Sequence, residues 1–216
     1  MTEEELMLEQ LFDEDKLTDK QKKIIVAAIE TFSEKGYAAS STNEIAKKAG
    51  VAEGTIFRHY KTKKELLVSI VAPLMTKFIA PLVVKDFNKV LDREFETVEE
   101  FLKATIENRR DLLIRMLPVV KIMFQEIPFQ PELREQFLEL VVKNIFNRVE
   151  NVIKGYQEKG LLIDMPPESI ARLTITNILG FLFSRYVLFP HLEWNDELEI
   201  ERTIQFIMHG IGNRNN

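Results

Sequence analysis

The chain has 216 residues, 45% of them hydrophobic, a formal net charge of −5 and no cysteine. Disulfides and thiolate metal sites are thereby excluded, and without a run of about 18 uncharged apolar residues no membrane span is expected. Charge is uneven: residues 1–17 hold seven acids and one Lys (−6), residues 18–64 ten Lys/Arg and five acids (+5), and residues 65–216 18 Lys/Arg and 22 acids (−4).

Residues 1–17 form an acidic N-terminal arm with Leu6, Met7, Leu8, Leu11 and Phe12 interleaved. It is read either as a frayed extension of the next helix or as a segment that masks the basic module. No secretory signal is expected, since the segment is acidic. A helix follows from Thr18 to about Lys35. Thr18 with Gln21 makes a capping box, and Gly36 ends the helix. Its buried stripe is Ile25, Ala28, Ile29 and Phe32. Two short helices come next, about Thr42 to Ala49 and Glu53 to Tyr60, joined at Gly50, a residue that takes positive φ without steric cost. Ser41 with Glu44 fits a second capping box. Ile45, Ala49, Ile56 and Tyr60 are spaced to face inward, which leaves Glu53, Gly54, Thr55, Arg58 and His59 outside, with Phe57 at the edge. An exposed, partly basic face on a short helix after a tight turn is what a helix-turn-helix needs to enter a DNA major groove. The positive charge lies in the same segment, where neutralising phosphates supplies affinity.

At these residues the chain resembles the tetracycline-repressor (TetR) family. Thr42, Ile45-Ala46, Ala49-Gly50-Val51, Gly54-Thr55, Phe57, His59-Tyr60, Lys63 and Glu65-Leu66 match the family signature in register. The resemblance covers about 50 residues, up to Leu67. It implies that Thr42 touches a phosphate, that Gly54 lets the backbone approach a base, that Thr55, Phe57 and Arg58 lie in the major groove, and that His59 and Lys63 hold phosphates. Phe57 stands where the family usually has Tyr, leaving apolar contact alone. Ala52 stands where a capping Ser or Thr is common. The implied partners are a double-stranded DNA operator, a small-molecule effector and a second copy of the chain, in the cytoplasm and away from any membrane.

Beyond residue 62 the pattern stays helical, so the fold class is all-α: a three-helix head at 18–62 and a larger ligand-binding and dimerisation domain at 63–216. Pro73 and Pro81 interrupt a segment reaching about Leu91 that links head and body. Thr97 and Glu100 cap a helix of about Val98 to Leu117. Pro118 opens a short helix ending near Ile127. A long helix spans Pro131 to Lys159, with Leu138, Val141, Val142, Ile145, Val149, Val152 and Tyr156 on one stripe. Pro166-Pro167 open a helix to about Phe189 that is apolar nearly all round. One side, Ile175, Ile178, Leu179, Leu182 and Tyr186, suits the subunit core. The other, with Leu173, Asn177, Gly180 and Ser184, admits a second helix. Asn195 caps the last helix, whose Ile200, Ile204, Ile207 and Ile211 share one stripe. The dimer face is accordingly expected at Leu173, Gly180, Ser184, Ile200, Ile204 and Ile207.

Arg109 falls in the middle of an apolar helix face. A buried guanidinium must be paired. It either meets an internal acid such as Glu126, snorkels to an edge, or holds the acidic end of an otherwise apolar effector. Phe78, Met116, Met123, Phe124, Asn177 and Phe181 are the other candidates to line such a pocket. The three histidines, His59, His191 and His209, show no metal-ligand spacing and no nucleophile motif, and there is no Gly-rich phosphate loop. No catalytic residue, metal or cofactor is expected. A repressor released by its effector is the reading favoured by the sequence. A helical adaptor whose head binds protein is the alternative.

Overall fold

The structure is a computed structural model that describes residues 18–73 and 80–211. The acidic arm, Phe78 and the tail from Gly212 lie outside the described residues, and so does the side chain of Ile211. Among the described residues the elements are α1 (Asp19–Ala39), α2 (Thr42–Ala49), α3 (Glu53–His59), α4 (Lys63–Pro73), α5 (Ala80–Leu91), α6 (Val98–Arg115), α7 (Leu117–Glu126), α8 (Pro131–Phe137), α9 (Lys143–Glu158), α10 (Pro167–Phe183) and α11 (Asp196–Ile211). One π-turn, Leu138–Val142, precedes α9 and another, Ser184–Leu188, follows α10. No helix among the described residues is long and apolar enough to cross a membrane.

The chain divides into two compact units. The first joins the described part of Met1–Pro81 to Arg115–Leu140, so α7 and α8 group with the head. The sequence boundary at residue 62 does not anticipate this grouping. Its physical reason is that α1 is buried on more than one side: Ile24, Ile25, Ala27, Ala28, Ile29 and Phe32 are all closed from solvent. Both α2 and α7 pack on it. From α7, Val119, Ile122 and Met123 are buried, and α4 adds Leu66 and Leu67, both fully buried.

Thr18 caps α1 as read, its hydroxyl accepting from the Gln21 N–H at 3.3 Å while its own N–H donates to Gln21 Oε1 at 3.0 Å. The helix is broken at Gly36, with φ 78° and ψ 159°. That region is open to glycine almost alone. An alanine Cβ there would also come within 3.3 Å of Gln125 Oε1 on α7. The turn after Gly36 is tied back by Ser40, whose buried hydroxyl donates to the carbonyls of Gly36 (2.7 Å) and Thr31 (3.2 Å).

The second unit comprises Leu82–Ile114 and the chain from Val141, built from α5, α6, α9, α10 and α11. The stripe of α9 is buried at Val149, Ile153 and Tyr156; Val152, expected inside, is only half-buried and Ile153 takes its place. Val152 and Ile153, three and four residues after Val149, both lie on the side of α9 that Val149 and Tyr156 define, and the second of them is the one that closes. Leu179 also departs from expectation, being 44% exposed. The end of α10 is fastened to the start of α11 by Asp196, which accepts from Arg185 Nε at 2.7 Å and from the Tyr186 hydroxyl at 2.8 Å. Burial and that hydrogen bond push the Tyr186 phenol up to about 12. The expected stripe on α11 forms, but it points inward. Ile200, Ile204 and Ile207 are 3–5% exposed within the single chain, so α11 buries them against its own unit and they are not available to a partner. The exposed apolar side chains of α11 are Leu198 and Phe206.

Candidate functional site

Helices α2 and α3 meet at the turn the sequence requires. Gly50 is left-handed, with φ 68° and ψ 32°, and its N–H closes α2. Ile45, Ala49, Ile56 and Tyr60 are buried as expected, and Ala46 is buried with them. On the opposite side of α3, Gly54, Phe57, Arg58 and His59 are exposed and Thr55 is half-exposed. Phe57 shows 47% of its surface, a large apolar exposure that this short helix does not need for its own packing. A Cβ added at Gly54 would meet nothing within 4 Å, so the absence of a side chain there is not demanded by the fold either.

The basic residues of the head separate into two sets. Lys48 bridges Glu30 (2.9 Å) and Glu34 (3.1 Å), and Lys35 pairs with Glu44. This pairing makes the Ser41–Glu44 capping box half-formed: the Ser41 hydroxyl accepts from the Glu44 N–H at 3.1 Å, while the Glu44 carboxylate turns to Lys35. In contrast, Arg58 and His59 make no ion pair among the described residues, and Lys47, Lys61 and Lys64 are exposed.

Two of the residues expected on phosphate are placed otherwise. Lys63 sends its ammonium to the carbonyls of Tyr37 (2.7 Å), Ser40 (2.8 Å) and Ala38 (3.4 Å). It also lies over the Tyr37 ring, 4.3 Å from its centre. Its donors close the C-terminal end of α1, where carbonyls have no helical partner. Thr42 donates its hydroxyl proton to Glu53 at 2.7 Å, and Asn43 adds a bond to the same carboxylate at 3.3 Å. These bonds hold the Glu53 carboxyl below its ordinary pKa, that from Thr42 first. Ala52 supplies no side-chain cap to α3; the Glu53 clamp fastens the first turn of α3 to the first turn of α2 instead. Sequence reading left this clamp unseen, although an acid in an otherwise basic motif was its visible sign.

The described ligand candidates fall in both units. Met116, Met123 and Phe124 belong to the first unit, Arg109, Asn177 and Phe181 to the second. Met116 and Met123 are buried core, whereas Phe124 is 46% exposed. Asn177 donates to the Leu173 carbonyl at 2.8 Å. Arg109 is held by an internal acid, which is Asp86 rather than Glu126. Its Nη2 lies 3.7 Å from Asp86 Oδ2, its Nε donates to Asn108 at 3.0 Å, and its guanidinium sits 4.7 Å from the centre of the Phe87 ring. Asp86 is 4% exposed and also takes Lys89 (2.9 Å) and the Asn108 amide (3.0 Å). The signal for Asp86 was present: it falls with Val83, Phe87 and Val90 on the apolar side of α5.

An apolar crevice lies elsewhere in the second unit, among α5, α6, α9 and α10. Phe87, Leu102, Ile153 and Ile178 are among its walls, and Thr105 and Thr174 face it, around about 40 Å³ of free space. None of the sequence candidates lines it.

The chain matches the family model described as bacterial regulatory proteins, tetR family, over residues 24–70. It is 34% identical over 139 residues to the fatty acid metabolism regulator protein of Bacillus subtilis, covering 63% of this chain and 62% of that relative. Among solved structures, the fatty acid degradation regulator FadR of Bacillus halodurans superposes with a TM-score of 0.64 at 21% identity, over 91% of this chain and 98% of the other. FadR of Bacillus subtilis in complex with stearoyl-CoA superposes with a TM-score of 0.61 at 21% identity, over 86% and 96%.

Proposed function

Because the chain belongs to the tetR family of bacterial regulatory proteins, we propose that it is a ligand-responsive transcriptional repressor that binds a near-palindromic operator as a homodimer. A fatty acyl thioester, the class held by one structural neighbour, is the proposed effector. The observation that carries the DNA-binding part is the outer face of α3. Phe57, Arg58 and His59 stand exposed there, beside a glycine whose missing side chain leaves room for a base or phosphate. Thr55 and Arg58 are proposed to read base edges, Phe57 a thymine methyl, and His59 a phosphate. Gly54 lets the backbone approach. A twofold dimer sets two such helices about 34 Å apart, one DNA turn.

The dimer face is proposed on α10 and α11. Leu173 and Gly180 are exposed, Ser184 is half-exposed, and Leu198 and Phe206 on α11 take the part first assigned to the isoleucines. The effector acts by differential affinity: it binds better to a state whose heads do not fit the operator and draws the population off DNA.

The test is fluorescence anisotropy on fragments of the gene's own upstream region at two salt concentrations. Tight, salt-sensitive binding to one near-palindromic fragment is expected. Arg58→Ala should weaken it about tenfold or more. Equal, weak binding to all fragments, unchanged by Arg58→Ala, would leave the head as a protein-binding module. In the same assay Glu53→Gln keeps an acceptor for Thr42 and removes a negative charge from the groove-facing helix. It is expected to tighten binding to every fragment and so shrink the preference for the operator; an unchanged preference would show that Glu53 faces no nucleic acid.

A further inference from the structure

The head keeps most of its own acids occupied. Glu30 and Glu34 hold Lys48, Glu44 holds Lys35, and the Glu53 carboxylate is clamped by Thr42 and Asn43. Glu65, at the start of α4, turns back to accept from the Lys61 N–H at 2.9 Å. The balance left over is positive, +5 across residues 18–64. Lys47 on α2, Arg58 on α3, Lys61 just beyond it and Lys64 in the first turn of α4 are exposed and make no ion pair among the described residues. Phe57, next to Arg58 in sequence, is 47% exposed, and no other large apolar side chain of the described head stands as open. The outer face of α3 therefore offers cations and one aromatic ring together.

Residues 1–17 carry the complementary pattern. Seven acids and one Lys give −6, and Met7, Leu8, Leu11 and Phe12 recur at the spacing of one helix face. No other block of the chain is as negative: residues 65–216 together carry only −4. The segment joins the head at Thr18, the cap of α1. Reach is no obstacle. A chain of 17 residues spans up to roughly 56 Å, whereas α1, with 21 residues, is only about 30 Å long. A tethered segment is present at an effective concentration on the order of mM. A contact too weak to persist between separate molecules then still covers the head.

We propose that residues 1–17 dock on the outer face of α3 in the chain's own head, acids towards Lys47, Arg58, Lys61 and Lys64 and apolar side chains towards Phe57, and so compete with DNA. The inference rests on the reading of the head as a DNA-binding module and adds its regulation: the arm stands in for the phosphate backbone. A head uncovered between a tenth and a third of the time binds DNA about three- to tenfold less tightly than a bare one. The arm blocks the face before any base is read, so operator and scrambled duplex are disfavoured by the same factor. Screening weakens the arm's attraction, so the effect fades as salt rises.

The experiment is anisotropy on operator and scrambled duplexes at about 50 and about 200 mM salt, with the full-length protein and two variants. Glu9→Gln/Asp13→Asn/Glu14→Gln/Asp15→Asn removes charge; Leu11→Ser/Phe12→Ser keeps the charge and removes the apolar contact. Both should tighten binding to both duplexes about three- to tenfold at the lower salt, with a smaller gain at the higher. A variant that merely damaged α1 would bind less tightly, the opposite sign. Unchanged affinity in the charge variant overturns the proposal. So does a gain in the charge variant alone, which is repulsion of DNA at a distance without docking. Contact is read directly from Gln10→Cys carrying a nitroxide, a single labelling site because the chain has no cysteine. The amide signals of Phe57 and Arg58 should broaden in the DNA-free protein and recover when operator is added. Broadening there without binding to any duplex would keep the docking and sink the DNA-binding reading. Tight operator binding with no broadening on α3 would sink the docking and leave that reading standing.

Discussion

Lys63→Met is expected to lower the melting temperature of the protein together with its affinity for DNA, and to leave the salt dependence of binding unchanged. Two roles compete for this residue. A lysine on a phosphate contributes to affinity through counterion release, and its loss reduces the slope of log affinity against log salt by about 0.9. A lysine capping a helix contributes to the fold. The geometry is that of a cap: Nζ lies 2.7 Å and 2.8 Å from the Tyr37 and Ser40 carbonyls. Three donors cannot serve two strong carbonyl bonds, a third carbonyl and a phosphate at once. Hydrogen bonds from a charged donor contribute about 1.5–3 kcal/mol. A loss of about 2 kcal/mol corresponds to roughly 4–8 °C in a chain of this size. Methionine retains the aliphatic stem over the Tyr37 ring, so the loss measured is that of the ammonium. Because the carbonyls it holds end α1, and α1 carries α2, the head itself loosens and operator affinity falls with it. A variant with an unchanged melting temperature and a slope reduced by about one charge would return Lys63 to the phosphate backbone.

This contrast shows which parts of the protein were legible in its sequence. The interior of the head was, because its local signals agree: Thr18 caps α1, Gly50 takes positive φ, and Ile45, Ala49, Ile56 and Tyr60 close the interior. Periodicity says which side of a helix is apolar, but not what that side meets. The Ile200–Ile204–Ile207 stripe was correct as a stripe, yet it packs within its own subunit. Nor does periodicity say which of two adjacent residues on one face is closed: Val152 and Ile153 both neighbour Val149 on α9, and Ile153 is the buried one. Side-chain donors were the least legible. The destinations of Lys63 and Thr42 lie 23–26 and 11 residues away in the chain, and nothing local specifies them. The crevice escaped notice for a related reason. Its walls come from four helices far apart in the chain, and no residue pattern encodes which of their apolar faces leave a gap.

Arg109→Met is expected to destabilise the second unit by about 3 kcal/mol and to leave effector affinity nearly intact. The arginine is 14% exposed along its side chain and Asp86 6%, so screening by water is slight. Removing one member of a buried ion pair costs about 3–5 kcal/mol, because the remaining charge is stranded. The lower end applies, since the closest approach is 3.7 Å and Asp86 keeps Lys89 and the Asn108 amide. The expected fall in melting temperature is roughly 6–12 °C. Asp86→Asn in the same chain should recover part of it, because the stranded charge is then gone; that recovery is the coupling a double-mutant cycle measures. An arginine kept to bind an effector's acid behaves in the opposite way. Its replacement would abolish the response to the effector and cost little stability, and Asp86→Asn would restore nothing.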